Sequence, residues 1–168
     1  MEVRVLPDQP PPAVTIPYAA LLDHWQGHRR VTRRMIEAFP DDALFAFSIG
    51  GMRPFSSLAL EMIRLASVGM RGLATREWPA FPAADAPAPG TKAELLRLWD
   101  QTTDDIEALW ATIPPQRFEE VDRAFGQWEG VVYTLFLYWI DNEIHHRGQG
   151  YVYLRSLGLE PPAFYDRS

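Results

Sequence analysis

The chain has 168 residues, no cysteine, and 16 Lys plus Arg against 22 Asp plus Glu, for a formal charge of −6. That is one domain's length, enough to bury a core unaided. The missing thiols exclude disulfide frameworks, thiolate metal sites and cysteine nucleophiles. The acidic balance argues against broad nucleic-acid binding, which needs basic side chains to displace counterions from phosphates.

The first 16 residues carry Pro7, Pro10, Pro11 and Pro12, which predicts an extended arm ahead of a single domain over 17–168. The start, MEVRVLPDQPPP, has no apolar core of the signal-peptide kind. The most apolar run, VVYTLFLYWI over 131–140, is far short of the roughly 20 residues a spanning helix needs. A cytoplasmic protein with no membrane segment is expected.

Four helical stretches follow. The first covers 18–39 and stops at Pro40, with Tyr18, Leu21, Trp25, Met35 and Phe39 on one stripe. The second starts near Pro54, a favourable first-turn residue, and runs to 75 with Leu58, Leu65, Val68 and Leu73. A proline-rich stretch, WPAFPAADAPAPG over 78–90, reads as a loop across one end of the fold. The third helix opens on a capping box, Thr91 with Glu94, and ends before Pro114 with Leu95, Leu98, Ile106, Leu109 and Ile113 inward. The segment 118–125 reads as a short extended piece. The fourth helix is expected over 128–157, with Gly158 as its stop. Amphipathic helices of about 20 residues or more, roughly 30 Å each, make an all-α four-helix bundle with long inter-helix connections. The six Trp, six Tyr and nine Phe predict an aromatic interior. Gly148 and Gly150 inside the last helix each cost about 1 kcal/mol against Ala, so a close approach by another helix or a partner subunit is expected there.

Polar residues interrupt these stripes. On the last helix Trp128, Val132, Leu135 and Trp139 lead at steps of three and four to Asn142, His146, Gln149 and Tyr153. On the second, Glu61 falls between Leu58 and Leu65; on the first, His28 falls between Trp25 and Met35, one turn after His24. An inward carboxylate is paired, protonated or bound to a cation, because isolated burial of the charge is costly. Glu61, Asn142 and His146 offer two oxygens and an imidazole nitrogen, a three-ligand set with room for water, as in catalytic metal centres. The same residues also suit a metal-free cluster in which Glu61 pairs with Arg147 or another base and Asn142 hydrogen-bonds His146. His145 lies about 100° round the helix from His146 and faces a neighbouring segment or solvent. There is no phosphate loop, GxSxG elbow or HExxH.

The segment WIDNEIHHRGQGYVYLRSLGLEPPAFY, 139–165, resembles the last helix of the DinB-like family, the damage-inducible superfamily that includes YfiT-like hydrolases and thiol-dependent S-transferases. HHRGQ, YLR, Gly and Pro-Pro carry the match, and 52–78 looks like the family's second helix. The resemblance implies a divalent metal held by three histidines, one from the second helix and two from an HxxxH on the last. Carried across, these positions fall on Glu61 or its neighbour, Asn142 and His146. One histidine of three remains, and the harder donor set shifts preference from Ni toward Mn, Mg or Fe, with Zn also open. His28 or His145 is then the candidate acid–base group or extra ligand. The resemblance implies hydrolysis or S-conjugation of a small electrophile, a homodimer and a stress-related role. The competing expectation is a non-catalytic binding or scaffold bundle whose triad has become a polar cluster.

Overall fold

A computed structural model of the chain describes residues 17–83 and 86–168. The expected arm over 1–16 lies outside them, as do two residues of the proline-rich stretch. The elements are α1 (Tyr18–Ala38), α2 (Asp41–Ala46), α3 (Phe55–Thr75), α4 (Lys92–Trp110), a 3-10 turn (Pro115–Glu119), strands β1 (Val121–Ala124) and β2 (Trp128–Val131), and α5 (Val132–Ser156). The four long helices form the expected all-α bundle. No helix among the described residues is long and apolar enough to cross a membrane.

Local chemistry sets the boundaries. Pro40 and Pro54 have extended backbones at the N-caps of α2 and α3. The Thr91–Glu94 capping box forms in both directions at the start of α4. Three boundaries differ from the sequence reading, the first being α4, which stops at Trp110 and leaves Ile113 in the turn that follows. The last helix begins at Val132, because Trp128–Val131 is spent as β2, pairing antiparallel with β1 from Val121↔Val131 to Ala124↔Trp128. Trp128 is therefore an exposed strand residue, not a helical core residue. The extended piece expected over 118–125 is shorter, with Phe118 in the 3-10 turn and the strand starting at Val121. The link after Pro40 also holds the six-residue helix α2, whose Leu44 is buried.

The long helices pack α1 and α3 each against both α4 and α5. The first two long helices therefore stand diagonally, and the connection through α2 crosses that diagonal. The 3-10 turn and hairpin carry the chain across the other, from α4 to α5.

The core divides into two apolar halves. One gathers Trp25, Ile106, Trp110, Phe136, Trp139 and Ile140; the other gathers Met35, Phe39, Phe55, Trp99, Tyr153 and Leu154. Along α1, α4 and α5 each half ends at the same level, and a polar belt fills the waist. Gly150 lies at the second half, where an added Cβ would run into the Phe55 ring and come within 3.0 Å of Met35. The close approach expected there is thus made inside the bundle. Nothing lies within 4 Å of a Cβ added at Gly148.

Candidate functional site

The waist holds two polar groups on different sides of α5. The first joins α3 to α5. His146 Nε2 stands 2.9 Å from Glu61 Oε1, and Asn142 Nδ2 donates to the same oxygen at 3.3 Å. Arg53 takes the other carboxylate oxygen at 2.6 Å. Burial pushes the Glu61 carboxyl up, but hydrogen bonds from His146, Arg53 and Asn142 outweigh it and leave the group below the usual carboxylate range. Gln149 Oε1 lies 3.1 Å from His146 Nδ1, and Gln149 Nε2 lies 3.3 Å from Nε2 of His145, which is exposed. The three residues singled out as metal ligands thus meet; His145 reaches them only through Gln149.

The second group joins α1 to α5. Glu143 is buried and accepts from Thr32 Oγ1 at 2.6 Å and Trp25 Nε1 at 3.1 Å. Guanidinium nitrogens of Arg29 and Arg147 each stand 3.9 Å from it. Arg29 lies 4.0 Å over the Trp99 ring, and burial pulls it down to about 10 against the opposing fields of Glu143 and Asp100. His28 belongs here. Its Nδ1 accepts from Arg147 Nη2 at 2.9 Å, so Nε2 carries the proton toward His24 Nε2 at 3.3 Å. Desolvation, with Arg147, Arg167 and His24 nearby, pulls His28 down to about 3. Its hydrogen-bond partners are these, not Glu61 or His146.

Glu143, Arg29 and Arg147 were not picked out as one cluster from sequence. The usable signal is a second stripe on α5, Phe136, Ile140, Glu143, Arg147, Gly150 and Leu154, which is the line the fold buries. Asn142 and Glu61 sit half-buried on its flank.

That flank opens into a cleft of about 1070 Å³ whose walls include Glu61, Asn142, Leu65 and Trp139 from the bundle and Trp78, Phe81, Phe125 and Trp128 from the loop and hairpin. Polar groups converging at one end of an apolar cleft are the usual anatomy of a small-molecule site.

Two of the three residues suit a divalent cation in donor type and spacing: Glu61 Oε1 and His146 Nε2, 2.9 Å apart, match the roughly 3 Å between neighbouring ligands around a metal with bonds near 2.1 Å. Asn142 presents its Nδ2 to Glu61 and would have to turn its amide to offer Oδ1. Asn142 Oδ1 is buried with no hydrogen-bond partner among the described residues. Turned toward Glu61, it would oppose acceptor to acceptor unless a cation lay between. With Gln149 Oε1 accepting from His146 Nδ1–H, the Nε2 lone pair faces the carboxylate, an arrangement that a second proton or a cation would hold. The described residues contain no group of three His, Cys, Asp or Glu placed to bind a metal, so the Asn142 amide would have to be the third ligand.

The family model of the DinB family matches residues 13–168. Among solved structures, a DinB-like protein from Bacillus cereus superposes with a TM-score of 0.72 at 20% identity, covering 88% of this chain and 97% of that one. A DinB-like protein from Bacillus subtilis gives 0.71 at 17%, covering 86% and 96%. At these identities the structural likeness carries the fold alone. No curated protein matches the chain. With the family model spanning nearly the whole sequence, the chain belongs to the DinB family.

Proposed function

We propose that the chain is a metal-dependent enzyme acting on a small electrophile, by hydrolysis or thiol transfer, at the polar end of the aromatic cleft. The observation that carries this reading is that Glu61 and Asn142 line that end and His146, behind them, meets the same carboxylate oxygen. Glu61 Oε1, Asn142 Oδ1 and His146 Nε2 would hold the cation. When bound, a divalent cation polarises a carbonyl-type oxygen or makes a water or thiol nucleophilic at neutral pH. The chain's own residues do the rest. Arg53 keeps Glu61 ionised and fixes one of its oxygens. Gln149 orients the His146 ring and links it to the exposed His145. Leu65 and Trp139 give the wall beside the polar end an apolar face.

The test is metal-dependent thermal stabilisation of wild type and Glu61→Leu. The reading requires Mn, Fe, Zn or Ni to raise the wild-type melting temperature and leave the variant unmoved.

One observation favours a second reading, a non-catalytic binding bundle. Arg53, His146 and Asn142 already satisfy Glu61 without a metal. On that reading Glu61→Leu, which leaves His146, Asn142 and Arg53 without their acceptor, lowers stability to the same extent with and without metal, and added metal moves neither protein.

A further inference from the structure

The cleft has a wall whose construction the metal reading does not explain. β1 and β2 are joined by Phe125, Gly126 and Gln127, and Phe125 has φ +54° while Gly126 has φ +70°. A left-handed backbone is ordinary for Gly and tolerable for Asn or Asp, but a bulky aromatic there is an outlier that costs stability. The Phe125 ring meets Trp78, Trp128 and Phe81 edge-on at 5.4, 5.9 and 6.3 Å. Phe81 and Trp128 remain 45% and 58% exposed. With Tyr138 and Trp139 on α5, six rings from three segments face one space.

The charge pattern is as one-sided as the shape. Among the described residues lining the cleft Glu61 is the charged group, and there is no Lys, Arg or His among them. Along its aromatic walls an anionic ligand would meet no cation among the described lining residues, and the guanidinium nearest the polar end, that of Arg53, is already paired with Glu61. A cationic ligand would have to compete with Arg53, already 2.6 Å from Glu61.

We propose that this cleft selects a neutral substrate with an aromatic body, its reacting polar group directed at Glu61, Asn142 and His146, and that Phe125 is a specificity-determining residue held in a strained turn to stack on that body. The inference rests on reading the cleft as the substrate site and names the class of substrate it takes. It also disfavours a thiol co-substrate that brings carboxylates into the cleft.

The experiment is calorimetric titration of the full chain with three matched probes: 2-naphthol, 2-naphthoate and 2-naphthylmethylammonium. 2-Naphthol should bind most tightly. Phe125→Asn should bind it about tenfold more weakly, the loss of one to two aromatic contacts, while its melting temperature holds or rises because Asn accepts the left-handed turn. Trp128→Ala, at an exposed strand position, gives the same affinity readout if Phe125→Asn does not fold. Naphthoate or the ammonium binding as tightly as naphthol overturns the proposal. So does unchanged naphthol affinity in the variants, or a fall in the melting temperature of Phe125→Asn with affinity intact. Metal content of the same samples separates the two readings. Naphthol selectivity without metal sinks the metal centre alone; metal without selectivity sinks this inference alone.

Discussion

His146 and Glu61, 85 positions apart in sequence, meet with Nε2 and Oε1 separated by 2.9 Å, at the end of a cleft walled with aromatic rings. α3 and α5 pack directly; Glu61 is half-buried and lines the cleft, and His146 is buried behind it. The carboxylate is therefore reachable from the cleft, while Arg53 holds its other oxygen.

The Glu143 network makes the adjacent face of α5 sensitive to charge removal. Glu143→Ala strands Arg29 and Arg147 in the waist without their carboxylate and takes the acceptor from Trp25 and Thr32. Chemical denaturation should show a loss of about 3–5 kcal/mol, the usual range for breaking a buried ion pair from one side. A loss under about 1 kcal/mol would mean the guanidiniums are satisfied without it.

Acid should destabilise the fold partly through His28. Its ordinary value is 6.5 and burial lowers it to about 3 in the folded chain. Below pH 6.5 the unfolded chain takes a proton that the folded chain refuses, so stability falls as pH drops from 6.5 toward 3. Wild type and His28→Gln, compared by thermal melts across this window, should differ in slope, with the flatter curve in the variant. Parallel curves would show that His28 does not contribute.

The two glycines of α5 should respond with opposite signs. Gly150→Ala pushes a methyl into Phe55 and Met35 and should lose about 1–3 kcal/mol by overpacking. Gly148→Ala meets nothing within 4 Å and should gain up to about 1 kcal/mol from helix propensity. Thermal melts of both variants check this. A loss at Gly148 would point to a contact, such as a second subunit, beyond the single chain.

Much of the bundle was legible because its helix signals are local and agree with one another: Pro40 stopping α1, Pro54 opening α3, a complete capping box at Thr91, and apolar residues at steps of three and four. The polar end of the cleft was legible too, since Glu61, Asn142 and His146 break those stripes. The choice of stripe on α5 was harder. Apolar residues lie round much of that helix, so lines through Trp139 and Asn142 or through Ile140 and Glu143 look equally good. The second contains an i, i+4 Glu–Arg pair, which in sequence resembles a solvent-exposed one. Of the hairpin, β1 falls within the extended piece expected over 118–125, while β2 and the pairing were hidden for a different reason. Its strands, VDRA and WEGV, are four residues each with no clean alternation, and its turn carries Phe125 where Asn or Gly would have announced it.

The central claim is that the Glu61–Asn142–His146 cluster is a metal centre. Elemental mass spectrometry of untagged protein purified without chelators tests it most directly, on wild type and His146→Ala. The account predicts about one divalent metal per chain in wild type and none in the variant, as expected when an imidazole ligand is removed from a three-ligand site. Absence of stoichiometric metal from wild type, or equal metal in both proteins, would contradict it.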